Sequence, residues 1–121
     1  MYILMALVLF AFTFTNPKSV HFNKMEHDFG TIAQGISQKA IFIVTNKSEE
    51  TLILKNVKGS CGCTATSYST EAIPAGSTTQ IEATFNAKSL GAFLKTVSVY
   101  TNLEEEPFIL TVKGTVVSSN L

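Results

Sequence analysis

Short alternations of apolar and polar residues recur along the chain, and turn-forming residues end each of them. A period of two residues is typical of half-buried β-strands, because successive side chains of a strand point to opposite faces. No long window keeps the 3.6-residue period of an amphipathic helix without being dominated by β-branched residues. The chain is therefore predicted to fold almost entirely from strands. The alternating apolar positions are Ala40, Phe42 and Val44; Leu52 and Leu54; Ile81, Ala83 and Phe85; Phe93, Val97 and Val99; and Leu110, Val112 and Val116.

About seven strands are predicted between residues 24 and 117, counting two weaker segments at 25–32 and 64–68. Seven short strands spaced by about 8–12 residues are typical of an immunoglobulin-like β-sandwich. The chain has no tryptophan and only two cysteines, so it lacks the inter-sheet disulfide and tryptophan of antibody domains. We expect an all-β, immunoglobulin-like domain over 24–117 and a C-terminal tail over 118–121. Gly114 interrupts the last alternation and predicts a bulge or a close approach of two backbones.

Residues 1–20 form a separate segment. The uncharged, apolar run from residue 2 to residue 14 is shorter than the roughly 20 residues of a membrane-spanning helix and has the length of a signal-peptide core. No lysine precedes it, which is unusual for a signal peptide. We expect a signal peptide, with an uncleaved membrane anchor in residues 1–15 as the main alternative and a buried first strand as a third. The first two place the domain in the periplasm or outside the cell.

The composition argues against several classes of function. Nine lysines and nine acidic residues give a net charge of zero, and the chain contains no arginine, so a nucleic-acid binder is not expected. No nucleophile elbow and no phosphate-binding glycine loop occurs in the sequence. We therefore predict a protein that is not an enzyme and that uses no cofactor.

The segment Cys61-Gly62-Cys63 is the main chemical anomaly of the sequence. Residues two apart in a strand share a face, with Cα atoms about 6.5 Å apart, near the upper limit for a disulfide. Three interpretations remain open: a structural link in a loop, a redox-active pair, and a pair of thiolate ligands for a soft ion such as copper or zinc. The metal interpretation needs more ligands, and the only histidines, His21 and His27, lie far from the pair in sequence.

The order of motifs resembles a known family. The sequence runs through Asp28-Phe29-Gly30-Thr31-Ile32, Ser60-Cys61-Gly62-Cys63-Thr64, Ile73-Pro74-Ala75-Gly76, Thr101-Asn102 and Leu110-x-Val112-x-Gly114-x-Val116. This pattern resembles the bacterial domain-of-unknown-function family 1573, whose hallmark is the CGCT segment. The resemblance implies an exported protein of Gram-negative bacteria with a fold similar to PapD-like and ASH/MSP immunoglobulin-like domains, and it implies no established activity. The positions it marks as structural are Phe29, Gly30, Gly35, Asn46, Gly62, Thr64, Pro74, Gly76, Asn102 and Gly114.

Two functions are compatible with these observations. The first is a non-enzymatic binding or assembly module of the bacterial cell envelope. Its partner would be another envelope protein, bound through a loop face or through the sheet edge of one of the two chains. It would contact a membrane only if the N-terminal segment stays uncleaved. The alternative is a thiol-redox or soft-metal protein that acts through Cys61 and Cys63.

Overall fold

The computed structural model of the chain describes residues 19–118. Residues 1–18 of the expected leader (1–20) and residues 119–121 of the expected tail (118–121) lie outside this part. Within 19–118 no residue is helical, and so no helix there could cross a membrane. The strands are β1 (Val20–Phe22), β2 (Glu26–Ala33), β3 (Gln38–Asn46), β4 (Leu54–Gly59), β5 (Thr64–Tyr68), β6 (Thr78–Phe85), β7 (Gly91–Thr101) and β8 (Phe108–Val117).

Two four-stranded sheets pack face to face. One has the strand order β1-β3-β6-β5 and the other β2-β8-β7-β4. All pairs are antiparallel except β2 with β8, which is parallel. The prediction of an all-β, immunoglobulin-like sandwich is confirmed.

The chain has eight strands because its first strand is divided between the two sheets. β1 pairs with β3, the chain then crosses over, and β2 pairs with β8. Asn23 holds this crossover: its N–H donates to the Ile43 carbonyl at 3.0 Å, and its Oδ1 accepts from the Ile43 N–H at 2.8 Å. Since β1 is only three residues long, it is too short for a period of two to be recognised in the sequence.

The predicted inner faces form the core. The predicted apolar positions of β3, β6 and β8 are at most 4% exposed. The main cluster fills the middle of the sandwich. A smaller second cluster, made of Ile32, Phe85, Ala87 and Val116 and bordered by Phe29, Cys63 and Phe93, fills one end.

The connections between strands alternate between the two ends of the sandwich. The segments 34–37, 60–63 and 86–90 lie at one end, which we call the cysteine end. The hydrogen bond from the Gly35 N–H to the Ala87 carbonyl, at 2.8 Å, joins two of them. The segments 47–53, 69–77 and 102–107 lie at the other end, which we call the acidic end because its exposed carboxylates are Glu49, Glu50, Glu71, Glu104, Glu105 and Glu106.

Candidate functional site

Cys61 and Cys63 form a disulfide in the loop between β4 and β5. Their Cα atoms are 5.3 Å apart, closer than the spacing of an extended strand, because the chain turns at Gly62 instead of continuing β4. The hydroxyl of Thr64 lies 3.9 Å from the Cys61 sulfur and 4.0 Å from the Cys63 sulfur. Redox reactivity of the pair stays a prediction.

The metal interpretation gains no support from the structure. Both sulfurs are joined to each other, and within residues 19–118 no group of three or more His, Cys, Asp or Glu could hold a metal ion. His21 is exposed on β1, and His27 packs edge-on against Phe29, with ring centroids 4.6 Å apart.

The cysteine loop is tied to both sheets. On one side the Ser60 N–H donates to the Thr96 carbonyl at 2.9 Å, and on the other the Asn86 N–H donates to the Cys63 carbonyl at 3.0 Å. At its base a Cβ on Gly59 would lie 2.5 Å from the Thr64 carbonyl oxygen, so only glycine allows this approach of β4 to β5. The loop therefore connects the edge strands of the two sheets, β4 and β5, at one corner of the sandwich.

Cys63 also packs against the second core cluster. The rings of Phe85 and Phe93 stack there, with centroids 3.9 Å apart. These contacts favour the structural interpretation of the disulfide, because Cys63 covers one end of the core with apolar surface.

A cavity of about 230 Å³ lies beside the disulfide. Its apolar wall contains Cys63, Phe85, Leu90 and Phe93, and among the described residues that line it Lys95 alone is charged. It exists because β7 extends beyond β4: β7 pairs with β8 from Gly91 onward, but with β4 only from Val97 onward. We call the side of residues 91–95 that faces away from β8 the open lane.

The charges of the two ends are opposite. Lys58, Lys88 and Lys95 lie at or near the cysteine end, and segments 33–39, 58–65, 84–95 and 114–118 contain no Asp or Glu. Lys95 is half-buried and shares the inward register of Val97, and in the described part of the chain it forms no ion pair. The two ion pairs there, Lys39–Glu82 and Lys113–Glu26, lie on the outer sheet faces.

Gly30 and Gly114 form a close contact between β2 and β8. A Cβ on Gly114 would lie 2.8 Å from the Gly30 carbonyl oxygen and 3.0 Å from the Phe93 ring. Gly30 has a φ of +69° in a bulge of β2, and its N–H donates to the Asp28 carboxylate at 2.8 Å. The predicted close backbone approach at Gly114 is confirmed, with the bulge on the partner strand.

Asn46 is the most highly connected polar side chain at the acidic end. It is fully buried; its Nδ2 donates to the carbonyls of Glu50 and Ile73 at 2.7 and 2.8 Å, and its Oδ1 accepts from the Ser48 N–H and hydroxyl at 3.0 and 2.7 Å. The side chain of Asn46, which the family resemblance marks as structural, thus bonds both to its own loop and to a second loop. The Gly76 N–H, at a φ of +81°, donates to the Asn46 carbonyl at 2.8 Å.

The residues marked by the motif do not form a single site. Phe29, Gly30, Gly35, Gly62, Thr64 and Gly114 lie toward the cysteine end, whereas Asn46, Pro74, Gly76 and Asn102 lie at the acidic end. Sequence reasoning missed the cavity and the open lane. One sequence signal could have indicated the open lane: the alternation of β7 is long and begins before any residue of β4 can pair with it.

Two titratable groups of β2 and β8 are perturbed. Partial burial, and then the ammonium of Lys24, lower the pKa of His27 below its ordinary value of 6.5. Lys24 Nζ lies 2.8 Å from His27 Nδ1. The pKa of Lys113 is raised by its hydrogen bond with the Glu26 carboxylate.

A family model described as a protein of unknown function, DUF1573, matches residues 20–116. The chain belongs to this family. The match confirms the resemblance drawn from the CGCT segment and its neighbouring motifs, and it indicates no catalytic family. A comparison with curated proteins finds no match.

Solved structures similar to this DUF1573 chain support the fold. A protein of unknown function from Porphyromonas gingivalis W83 is 16% identical with a TM-score of 0.69, and the match covers 85% of this chain and 51% of that chain. The PapD-like domain 7 of human CEP192 is 9% identical with a TM-score of 0.68, covering 84% of this chain and 87% of that one. The VesB protease of Vibrio cholerae is 11% identical with a TM-score of 0.65, covering 82% and 32% respectively. The chain thus spans about half of the Porphyromonas protein, and at these identities the likeness concerns the PapD-like fold alone.

Proposed function

We propose that this chain is a non-enzymatic protein-binding or assembly module of the bacterial cell envelope. The observation that carries the proposal is the outer face of the sheet β2-β8-β7-β4. Leu94, Tyr100 and Ile109 point away from the core on the adjacent strands β7 and β8 and are 62%, 39% and 46% exposed. A contiguous exposed apolar patch, such as the one that Tyr100 and Ile109 form, is typical of surfaces that bind other proteins.

The register explains why these side chains face outward. On β7 the inward positions are taken by the buried Val97 and Val99, so Leu94 and Tyr100 lie on the opposite face. Ile109 pairs with Ser98, which makes it a diagonal neighbour of Tyr100. The outer face of each sheet carries one ion pair, Lys113–Glu26 on this sheet and Lys39–Glu82 on the other. On the other sheet Ile41 is the exposed large apolar residue.

Site-specific photo-crosslinking in cells tests this proposal. A photoreactive benzoylphenylalanine replaces Ile109 in one variant and Ile41 in the matched control, since the two side chains are 46% and 41% exposed on opposite sheets. We expect a discrete protein adduct from position 109 that is absent from position 41. The adduct should disappear when Tyr100→Asp is added beside it. Equal adducts from both positions, or none from position 109, would contradict the proposal.

Export is the second part of the proposal and rests on the apolar run of residues 2–14. Mass spectrometry of the protein from the envelope fraction should show an N-terminus near residue 20 or, for an uncleaved anchor, an intact chain that remains with the membrane. An intact chain in the cytosol contradicts export.

A further inference from the structure

The main-chain groups of Ala92 and Leu94 face the open lane. The neighbouring Thr96 turns both of its groups to the β4 side: its carbonyl accepts from the Ser60 N–H at 2.9 Å, and its N–H donates to the Ser60 hydroxyl at 3.1 Å. Pairing of β7 with β8 keeps one register from Gly91 to Val99. Since alternate residues of a strand direct their N–H and C=O groups to the same side, Leu94 and Ala92 direct theirs to the β4 side as well.

No strand of the described chain reaches these groups. β4 leaves the sheet after Ser60, where the cysteine loop carries the chain across to β5. No hydrogen bond from another part of residues 19–118 to the main chain of Ala92 or Leu94 replaces it. Two donors and two acceptors therefore lie along a strand edge with the spacing that an added strand requires.

The lane opens onto the 230 Å³ cavity, and this determines the chemistry of a segment that fits. A strand that continued the line of β4 would turn alternate side chains inward. An apolar side chain would then contact Phe85, Phe93 and Cys63. An inward residue two positions away would approach Lys95, which forms no ion pair within residues 19–118. The segments 58–65 and 84–95 around the cavity contain no Asp or Glu.

We propose that the open lane of β7 binds an extended acidic segment of a partner polypeptide, which adds as a strand beside Ala92 and Leu94 in line with β4. The cavity accepts one apolar side chain of this segment, and Lys95 pairs with a carboxylate. The proposal rests on the proposed binding function and specifies its mode and the charge of the partner. Main-chain hydrogen bonds supply affinity in such strand addition, and the alternate side chains supply specificity.

Amide hydrogen exchange on the purified native protein tests the geometry directly. The probe is the peptide Thr-Glu-Thr-Ile-Thr-Glu-Thr, in which isoleucine and both glutamates share one face of a strand. We expect the amides of Ala92 and Leu94 to exchange rapidly in the free protein and to slow by at least about tenfold at saturating peptide. The amides of Phe93 and Lys95 face β8 and should be protected in both states.

Two chemical changes separate strand pairing from charge attraction. Two N-methylated peptides are compared, one modified at its odd-numbered residues and the other at its even-numbered residues. Methylation should weaken binding by about tenfold or more in one peptide and far less in the other, because the N–H groups of only one set face β7. Lys95→Gln should weaken binding several-fold and reduce its dependence on salt. Lys39→Gln, on the outer face of the other sheet, is the matched control and should leave binding unchanged.

Unchanged amide exchange at Ala92 and Leu94 in the presence of the peptide overturns the inference. Equally weakened binding of the two N-methylated peptides overturns it as well. Protection of these amides before any peptide is added also overturns the inference. If that protection is lost on dilution, a second copy of the chain occupies the lane. If it persists on dilution, another segment of the same chain occupies it. Adducts at position 109 without peptide protection leave the proposed function standing and remove only the strand-addition mode. Protection by the peptide without adducts in cells removes the proposed function and leaves the lane as a peptide site.

Discussion

Asn46→Ala is expected to destabilise the domain strongly. The side chain is fully buried and makes four hydrogen bonds that join the end of β3 to the β3–β4 and β5–β6 loops. Each such bond contributes about 0.5–1.5 kcal/mol net. The Glu50 and Ile73 carbonyls keep a second donor, from the Ser48 hydroxyl and the Leu52 N–H. Four bonds give about 2–6 kcal/mol, and because both carbonyls keep a donor we expect a loss in the lower half of this range, about 3 kcal/mol.

Asn102→Ala is the matched control. The Asn102 side chain also bridges a loop, accepting from the Ile53 N–H at 2.7 Å and donating to the Thr51 carbonyl at 2.9 Å, but it is exposed, so water can replace both bonds. Its loss should cost about 1 kcal/mol or less. A third variant, Asn46→Asp, turns an oxygen toward two carbonyls and buries a charge, so it should be worse than Asn46→Ala at neutral pH.

Urea unfolding followed by circular dichroism measures these differences, and a thermal scan should show a fall of about 12–24 °C for Asn46→Ala, at 4–8 °C per kcal/mol for a domain of this size. Acidification to about pH 4 should narrow the gap between Asn46→Asp and Asn46→Ala, because a protonated carboxyl can donate one bond. A cost for Asn46→Ala no larger than that for Asn102→Ala would refute the reasoning.

Three further predictions concern the opposite end and β2. Gly114→Ala should cost about 1–3 kcal/mol in urea unfolding, because its Cβ would meet backbone and an aromatic ring, whereas Gly62→Ala, with open space around it, should cost far less; equal effects would contradict the packing argument. Reducing the Cys61–Cys63 disulfide should lower the free energy of unfolding by no more than about 2 kcal/mol, because it closes only a very short loop; unfolding on addition of reductant would show that the bond is a staple of the whole domain. Burial and a nearby cation lower the pKa of His27, so the unfolded state binds its proton more readily and stability should fall as the pH drops below about 6.5. This decline should be smaller in His27→Gln, and an identical pH profile would exclude the histidine as its cause.

The inner faces of the strands could be predicted because alternate residues of a strand point to opposite faces, so the pattern of apolar residues in the sequence identifies the buried face. Phe42, Ile81 and Val112 are buried at the positions that a period of two assigns to the core. The division of the first strand could not be predicted, because three residues are too few to show a period. The four hydrogen bonds of Asn46 could not be predicted either, since the Ile73 carbonyl that it binds belongs to a distant loop.

Strand content, the facing of the core side chains and family membership follow from the amino-acid sequence alone, since each depends on residue types at short, regular spacings. The disulfide between Cys61 and Cys63, the opposite charge of the two ends and the open lane beside Ala92 and Leu94 depend instead on how the strands pair and pack. Strand length is a local property. The absence of a neighbouring strand from residues 19–118 beside residues 91–95 of β7 arises from where β4 leaves the sheet, and that depends on pairing between segments far apart in the chain.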